Sequence, residues 1–149
     1  MDIYVCISIP ARHVNVIIIP NQGKGTIVEN VSEAERRESI NSLQSTIRKL
    51  EHALSQMTQK GANTTLVKKR LHSVCIGLAV LEKVWNQCPH SYRQEELSDT
   101  HHVLTGLLPS IRNMIVKSKV GSPQRTLLER RIRALELAIQ AIDDLHKER

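Results

Sequence analysis

Residues 65–71 have the sequence Thr-Leu-Val-Lys-Lys-Arg-Leu, and residues 126–132 have the related sequence Thr-Leu-Leu-Glu-Arg-Arg-Ile, 61 positions later. The match continues through the apolar pairs Val74/Leu135, Leu78/Ile139 and Leu81/Ile142. Upstream, Ile47-Arg48 aligns with Ile111-Arg112 at an offset of 64, which a shorter loop in the second copy would produce. Self-similarity at a coherent spacing is typical of a repeated unit. The sequence therefore predicts two copies of a helix hairpin.

Start and stop signals divide these copies into four helices. Ser32 and Glu35 form a capping box that begins the first helix, and Gly61-Ala62-Asn63 ends it. Asn63 or Thr64 caps the second helix, residues 86–96 form a linker, and Ser122-Pro123 starts the fourth helix. Pro109 is expected to kink or restart the third helix. Heptad spacing predicts antiparallel packing of the first two helices, along Ile40, Leu43, Ile47, Leu50, Leu54 and Met57 and along Val67, Leu71, Val74, Leu78, Leu81 and Trp85.

The N-terminal residues have two strand patterns, which are alternating hydropathy over 3–9 and a run rich in β-branched residues over 14–19. Two strands are predicted over 3–9 and 14–19, with a third, short strand over 26–28. The expected fold class is therefore α+β: a short N-terminal antiparallel β-meander followed by four helices that form two related hairpins. We expect one domain over 1–149, made of the meander (1–30), the first hairpin (32–87) and the second hairpin (97–148). Because exposed sheet edges need covering, a homo-oligomer is expected.

Positive charge is concentrated in one segment of the chain. The formal net charge is +6, and the aromatic content is only 2%, with no Phe. Between Ser110 and Arg133 there are seven basic residues and one acidic residue, Glu129, so this segment carries the whole excess. A local positive field favours an acidic or phosphate-bearing partner. The shortage of rings argues against single-stranded nucleic acid, whose bases stack on aromatic side chains.

Two clusters of basic and hydroxyl side chains are the candidate binding sites. Folding each hairpin is expected to bring an arginine of its first helix near the basic start of its second helix. A hydroxyl, free backbone N–H groups and nearby guanidinium groups suit a phosphate. The predicted sites are Arg48, Thr65, Lys69 and Arg70 in the first copy, and Arg112, Thr126, Arg130 and Arg131 in the second. The competing interpretation is a solvated face whose long side chains cover apolar surface.

Other motifs give weaker indications of chemistry. Cys88, His90, His101 and His102 do not have the spacing of a zinc site, so no metal is expected. The segment Gly23-Lys24-Gly25-Thr26 lacks the spacing of a phosphate loop and is better explained as a turn. No pair of carboxylates, and no base beside a nucleophile, stands out. We therefore expect neither an enzyme nor a cofactor.

The cysteines and the N terminus bear on the compartment. Cys6, Cys75 and Cys88 lie far apart and are interpreted as reduced thiols. The N terminus lacks the basic region of a signal peptide, and its apolar runs are too short to span a bilayer. The apolar residues of the fourth helix are expected to serve the core, which argues against a membrane role for that helix. A cytoplasmic protein without membrane contact is expected.

The run Thr65–Leu71, with Gly77-Leu78-Ala79-Val80-Leu81 after it, resembles helix hairpins in small phage-encoded proteins that counter bacterial immunity by sequestering cyclic nucleotide signals. The resemblance covers residues 45–85 and 110–145 and implies a nucleotide ligand, but it supplies no binding residues. The expected function is a non-enzymatic binding protein for a phosphate-bearing ligand, such as a nucleotide immune signal. Two alternatives stay open: a helical interaction or inhibitor module that docks on an acidic protein surface, and a duplex nucleic-acid-binding protein.

Overall fold

The computed structural model describes residues 25–147, which form four helices. They are α1 (Glu33–Gln59), α2 (Thr65–Asn86), α3 (Gln94–Lys117) and α4 (Pro123–Lys147). Hairpin A consists of α1 packed on α2, and hairpin B of α3 packed on α4. The hairpins join through α2 and α4, which touch each other, while α1 also packs on α4 and α3 on α2. The described part of the chain is a helical bundle.

The predicted α+β class is wrong for the described residues, since none of residues 25–147 is in a strand. The third predicted strand, 26–28, lies in a turn in which the backbone N–H of Asn30 donates to the carbonyl oxygens of Thr26 (3.1 Å) and Ile27 (3.2 Å). The Asn30 side-chain amide also donates to the Thr26 carbonyl (3.0 Å). Side-chain bonds of this kind offer the backbone an alternative to a strand ladder.

The other two strands of the predicted meander, 3–9 and 14–19, lie outside the described residues. The expected homo-oligomer rested on the need to cover the edges of a sheet, and residues 25–147 contain no sheet. The oligomeric state therefore stays a prediction, for which the helical bundle adds no new reason.

The helix starts lie close to their predicted positions because side chains satisfy free backbone N–H groups there. The Ser32 hydroxyl accepts a hydrogen bond from the backbone N–H of Glu35 (3.1 Å) at the start of α1. The Ser122 hydroxyl accepts one from the N–H of Arg125 (3.2 Å) at the start of α4, whose first residue is Pro123. The capping box is only half formed, because the Glu35 carboxylate pairs with another helix instead of turning back to Ser32.

The two hairpins repeat the same structure at a constant offset of 61 residues. Hairpin A spans 33–86 and hairpin B spans 94–147, with five-residue loops at 60–64 and 118–122. The buried residues of α2 recur in α4, as Ser73/Ala134, Val74/Leu135, Ile76/Leu137, Gly77/Ala138, Val80/Ala141 and Leu81/Ile142. Helices α1 and α3 share the buried pairs Ser39/Thr100 and Leu43/Leu104. This agreement supports the predicted duplication.

The upstream offset of 64 is wrong, because an offset of 61 fits both helices of the hairpin. The two loops have equal length, but the loop of hairpin B comes three residues earlier in the repeat. Helix α3 is therefore shorter than α1 (24 residues against 27), and α4 is longer than α2 (25 against 22). Arg48 is therefore equivalent to Pro109 and not to Arg112. Helix α3 continues through Pro109 without a break.

The two hairpins approach each other closely at Gly77 of α2. A Cβ atom at this position would lie 3.3 Å from the Cβ of Ala138 and 3.2 Å from a methyl carbon of Leu104. Gly77 and Ala138 are equivalent residues of the two copies, so the copies meet here through the same position of the repeat. The core around it is aliphatic except for Trp85, whose indole N–H donates to the carbonyl of Val28 (2.8 Å).

The cysteines differ from the sequence-based expectation. Cys75 is a free, half-buried thiol. Burial, together with the nearby Glu51 carboxylate, raises the pKa of the Cys75 thiol to about 11, so little thiolate forms at neutral pH. Cys88 is disulfide-bonded, so the interpretation of all three cysteines as reduced thiols is wrong for this one. None of the four described helices is both long enough and apolar enough to cross a bilayer. The cytoplasmic compartment stays a prediction.

Candidate functional site

The two ends of each hairpin differ in charge. We call the residues next to the loop the loop half, and the residues at the free ends of the two helices the open half. The loop halves, residues 46–74 and 107–135, contain thirteen basic residues and only two acidic ones, Glu51 and Glu129. The other described residues contain five basic and eleven acidic residues. The basic segment noted in the sequence is therefore one half of a repeated pattern. Fields of this kind raise the local concentration of anions near the loop halves.

Ion pairs form where the open half of one hairpin packs on the loop half of the other. The Nε atom of Arg133 in α4 lies 2.6 Å from Oε2 of Glu35 in α1. The equivalent contact between α2 and α3 joins Nε2 of His72 to Oε2 of Glu96 at 3.9 Å. Pairs this exposed add little stability each, but the Arg133–Glu35 pair joins α1 to α4.

A groove of about 250 Å³ lies between α1 and the first half of α4. The α1 wall is polar and consists of Asn41, Ser42, Ser45 and Lys49, with Glu38 at one end. The α4 wall combines polar and apolar residues, which are Gln124, Leu127, Leu128, Arg130 and Arg131. Pockets for drug-sized ligands are usually about 300–1,000 Å³. This groove therefore has room for an anionic group of a ligand, such as a phosphate.

Arg131 is the unusual side chain of the groove. It is half-buried, and its Nε atom is buried without a hydrogen-bond partner among the described residues. Burial lowers the pKa of the Arg131 guanidinium below its ordinary value. No carboxylate of the described residues lies within ion-pairing distance of it. Because an unpaired, desolvated charge is unfavourable, an anion that enters the groove would be stabilised beside Arg131.

Two further cations complete the electrostatics of the groove. The guanidinium of Arg130 lies 3.4 Å from Oε2 of Glu38. Lys49 is exposed and takes part in no ion pair within residues 25–147. Three cations therefore face one carboxylate, and the groove is net positive. The serine hydroxyls and side-chain amides of the walls add uncharged hydrogen-bond donors, and donors around a cation are what phosphate oxygens need.

The structure brings together half of the predicted second site. Arg130 and Arg131 line the groove, as neighbours on α4. Arg112 lies elsewhere, with its guanidinium 3.2 Å from Oε2 of Glu136. The Thr126 hydroxyl donates to a carbonyl at the start of its own helix (3.4 Å) and does not line the groove.

The residues of the predicted first site do not line the groove. Arg48 and Lys69 are exposed, Arg70 is half-buried, and none of them lines the groove. The backbone N–H of Thr65 is already occupied, because it donates to the side-chain oxygen of Asn63 (2.9 Å). This helix start therefore has one fewer N–H for a ligand than the sequence suggested.

Sequence reasoning missed the α1 wall of the groove. Asn41, Ser45 and Lys49 recur every four residues, which places them on one helix face. That signal was available, but the prediction paired helices only within a hairpin. The contact between α1 and α4 joins different hairpins, and no local pattern in the sequence specifies it.

Metal binding was not expected, and the described residues include no group of three or more His, Cys, Asp or Glu side chains arranged to hold an ion. His101, one of the residues considered for zinc, lies with its Nε2 atom 3.0 Å from Oδ1 of Asp143. This pair joins α3 to α4.

Comparison with known protein families, with curated proteins and with solved structures found no match. The resemblance to small phage-encoded proteins therefore gains no support from known proteins. Nothing in the comparisons or the structure supports the phage, anti-defence and nucleotide-specific parts of the expectation, which depended on that resemblance, and they are not proposed again. The helix hairpins themselves are present.

Proposed function

We propose that this chain is a non-enzymatic binding protein that holds a phosphate group of its partner in the groove between α1 and α4. The observation that carries the proposal is Arg131, a half-buried guanidinium with a buried Nε atom and no partner among the described residues. Stable folds rarely leave such a charge uncompensated. A bound anion would supply the missing hydrogen bonds.

A phosphate fits the walls better than a carboxylate does. Arg131 and Lys49 offer charged donors, and Ser42, Ser45 and Asn41 on α1 offer neutral donors around them. A phosphate has more oxygens to satisfy than a carboxylate, and arginine recognises it through two parallel N–H bonds. Binding also suits the groove better than catalysis, because its one acidic residue, Glu38, is tied to Arg130.

The test compares thermal unfolding of the protein with pyrophosphate and with sodium chloride at equal ionic strength. Ligand at a hundredfold excess over Kd stabilises the native state by about 2.7 kcal/mol, which is several degrees for a chain of this length. Arg131→Met should abolish the pyrophosphate shift. Arg48→Met is the matched control, because Arg48 is an exposed loop-half arginine outside the groove, and its shift should equal that of the unmodified protein.

Arg131→Met should leave the stability of the ligand-free protein unchanged or raise it by about 1 kcal/mol, since a desolvated charge is replaced by an apolar chain of similar length. Loss of the shift together with retained stability would locate the site at Arg131. An equal pyrophosphate shift in both variants would reject the groove. Duplex DNA binding with a steep salt dependence that Arg131→Met does not alter would favour the nucleic-acid alternative.

Paired exposed leucines support a second candidate function, a module that docks on an acidic protein surface. Leu66 and Leu127 are equivalent residues near the starts of α2 and α4, and they are 56% and 60% exposed. Apolar anchors beside basic side chains suit a partner that combines apolar and acidic residues. The substitution Leu66→Ser, which lies outside the groove, should leave the pyrophosphate shift intact. Loss of binding to a peptide of glutamate and leucine in that variant, measured by calorimetry, would support the docking function.

A further inference from the structure

The loop end of hairpin B is an exposed tip in which two valines enclose two lysines. Its sequence over residues 116–120 is Val-Lys-Ser-Lys-Val. Val116 is 77% exposed and Val120 is 81% exposed, the largest values among the bulky apolar residues of the described chain. Met114 is 41% exposed, and it lies with Lys117 and Lys119 around a shallow depression beside the valines.

The fold does not require these side chains. Hairpin A closes with a loop of the same length, and each loop contains one glycine with a positive φ, Gly61 (72°) and Gly121 (80°). The corresponding tip of hairpin A, residues 58–62, is Thr-Gln-Lys-Gly-Ala, without a bulky apolar residue. The valines and the second lysine are therefore additions to a turn that forms without them. Exposed apolar side chains in a cluster indicate a contact surface.

We propose that the tip of hairpin B inserts its valines into the headgroup region of an anionic phospholipid surface. Valine and lysine are both under-represented in the energetically important parts of protein–protein interfaces, where aromatic residues and arginine dominate. A lipid surface accepts protruding apolar side chains, and flanking lysines extend their ammonium groups to the headgroup phosphates. Lys117 and Lys119 are next to Val116 and Val120 in the sequence and form no ion pair within residues 25–147.

The division of charge favours contact through the tip. The loop half of hairpin B, residues 107–135, has seven basic residues and one acidic residue. The open half of hairpin A that packs beside it, residues 33–45 and 75–86, has three basic and four acidic residues, so this end of the bundle is strongly positive. At the opposite end the positive loop half of hairpin A packs beside the acidic open half of hairpin B, so a negatively charged plane attracts the end that carries the tip more strongly. The expectation against a membrane role concerned the apolar face of α4, and that face is buried in the core. The tip is a separate surface, and the proposal does not depend on the groove at Arg131.

The test is co-sedimentation with vesicles of phosphatidylcholine alone and of phosphatidylcholine mixed with phosphatidylglycerol. The unmodified protein should bind the mixed vesicles and not the neutral ones, and added salt should weaken binding because it screens the surface potential. The double variant Val116→Ser, Val120→Ser should bind on the order of tenfold more weakly, since it loses apolar groups without any change of charge. The matched control is Ile27→Ser, since Ile27 is 67% exposed outside the tip and its replacement should change nothing.

Three results would overturn the proposal. The first is no binding to the mixed vesicles, and the second is equal binding to both kinds of vesicle. The third is equal binding by the unmodified protein and the valine variant, which would mean adsorption through charge alone. Thermal melts of the variants verify that they fold, which the exposure of the valines leads us to expect. Arg131→Met should keep its vesicle binding. The experiments therefore distinguish an error in the phosphate-binding proposal from an error in the lipid-binding proposal.

Discussion

Hairpins A and B have the same packing and different surfaces. Every buried residue of α2 except Trp85 has a buried equivalent in α4, 61 residues later, and each hairpin spans 54 residues with a five-residue loop. The tips differ, because one is Thr-Gln-Lys-Gly-Ala and the other is rich in valine and lysine. Packing thus restricts the shared positions, whereas the differing surface positions are free to carry separate functions.

The two walls of the groove also differ in whether they are repeated between the hairpins. The α4 wall residues Arg130 and Arg131 have basic equivalents, Lys69 and Arg70, at the start of α2. The α1 wall does not repeat: its residues Ser42, Ser45 and Lys49 correspond in α3 to Val103, Gly106 and Ser110. The cations of the α4 wall are therefore repeated in α2, whereas the hydrogen-bond donors of the α1 wall are not repeated in α3. The comparison therefore favours a single groove over the two symmetric sites that the sequence suggested.

The largest expected effect tests whether the two cores are equivalent. Leu43 of α1 and Leu104 of α3 are both fully buried and occupy the same position of the repeat. Each substitution by alanine should lower the free energy of unfolding by about 3 kcal/mol, since both lose the same apolar volume and leave a cavity. Chemical denaturation measures both values. A difference of more than about 2 kcal/mol between them would show that the hairpins do not share one packing scheme.

A second prediction concerns two helical glycines with opposite surroundings. At Gly77 a new side chain would meet Leu104 and Ala138, whereas at Gly106 a Cβ atom would meet nothing within 4 Å. Gly77→Leu should therefore destabilise the protein by about 2 kcal/mol through overpacking. Gly106→Ala should stabilise it by up to about 1 kcal/mol, because alanine is the better helix former. If Gly77→Leu were tolerated without loss, α2 and α4 would not approach each other closely at this position.

The helices could be predicted because their signals are local. Ser32, Gly61 and Ser122-Pro123 determine boundaries through hydrogen bonds and φ angles that involve only nearby residues. The predicted strand over 26–28 is wrong for a reason that is also local. The Asn30 side chain forms a hydrogen bond to the backbone there, which residue-type preferences do not reveal. A run of three residues, Thr26-Ile27-Val28, was too short a pattern to exclude a turn.

The candidate site was only half predictable, because its two walls belong to different hairpins. Arg130 and Arg131 were found from the basic cluster, but Lys49 was not, since nothing in the sequence specifies that α1 packs on α4. The mistaken equivalence of Arg48 and Arg112 has a related origin. The sequence comparison matched two residues of the first helices at an offset of 64. The offset of 61, already found for the second helices, also matches the buried residues of the first helices.

The smallest expected effect lies in the linker 87–93, which joins the two copies and has no counterpart in either. His90 is half-buried there, both its ring nitrogens are buried without a hydrogen-bond partner among the described residues, and its ring lies 5.0 Å from that of Tyr92. Burial, and secondly the positive charge of Lys83, lowers the pKa of His90 below 6.5. In the unfolded chain a histidine has its ordinary pKa of about 6.5.

As the pH falls below about 6.5, the unfolded state therefore binds more protons than the native state, and stability decreases. The contribution is fully present above that pH. The variant His90→Phe keeps an aromatic ring beside Tyr92 and cannot titrate. Its free energy of unfolding should consequently fall less between pH 7.5 and pH 5.5 than that of the unmodified protein, when both are measured by denaturation at the two pH values. Equal losses in both proteins would mean that the linker histidine stays accessible to water, and that the acid sensitivity of the fold comes from the hairpins themselves.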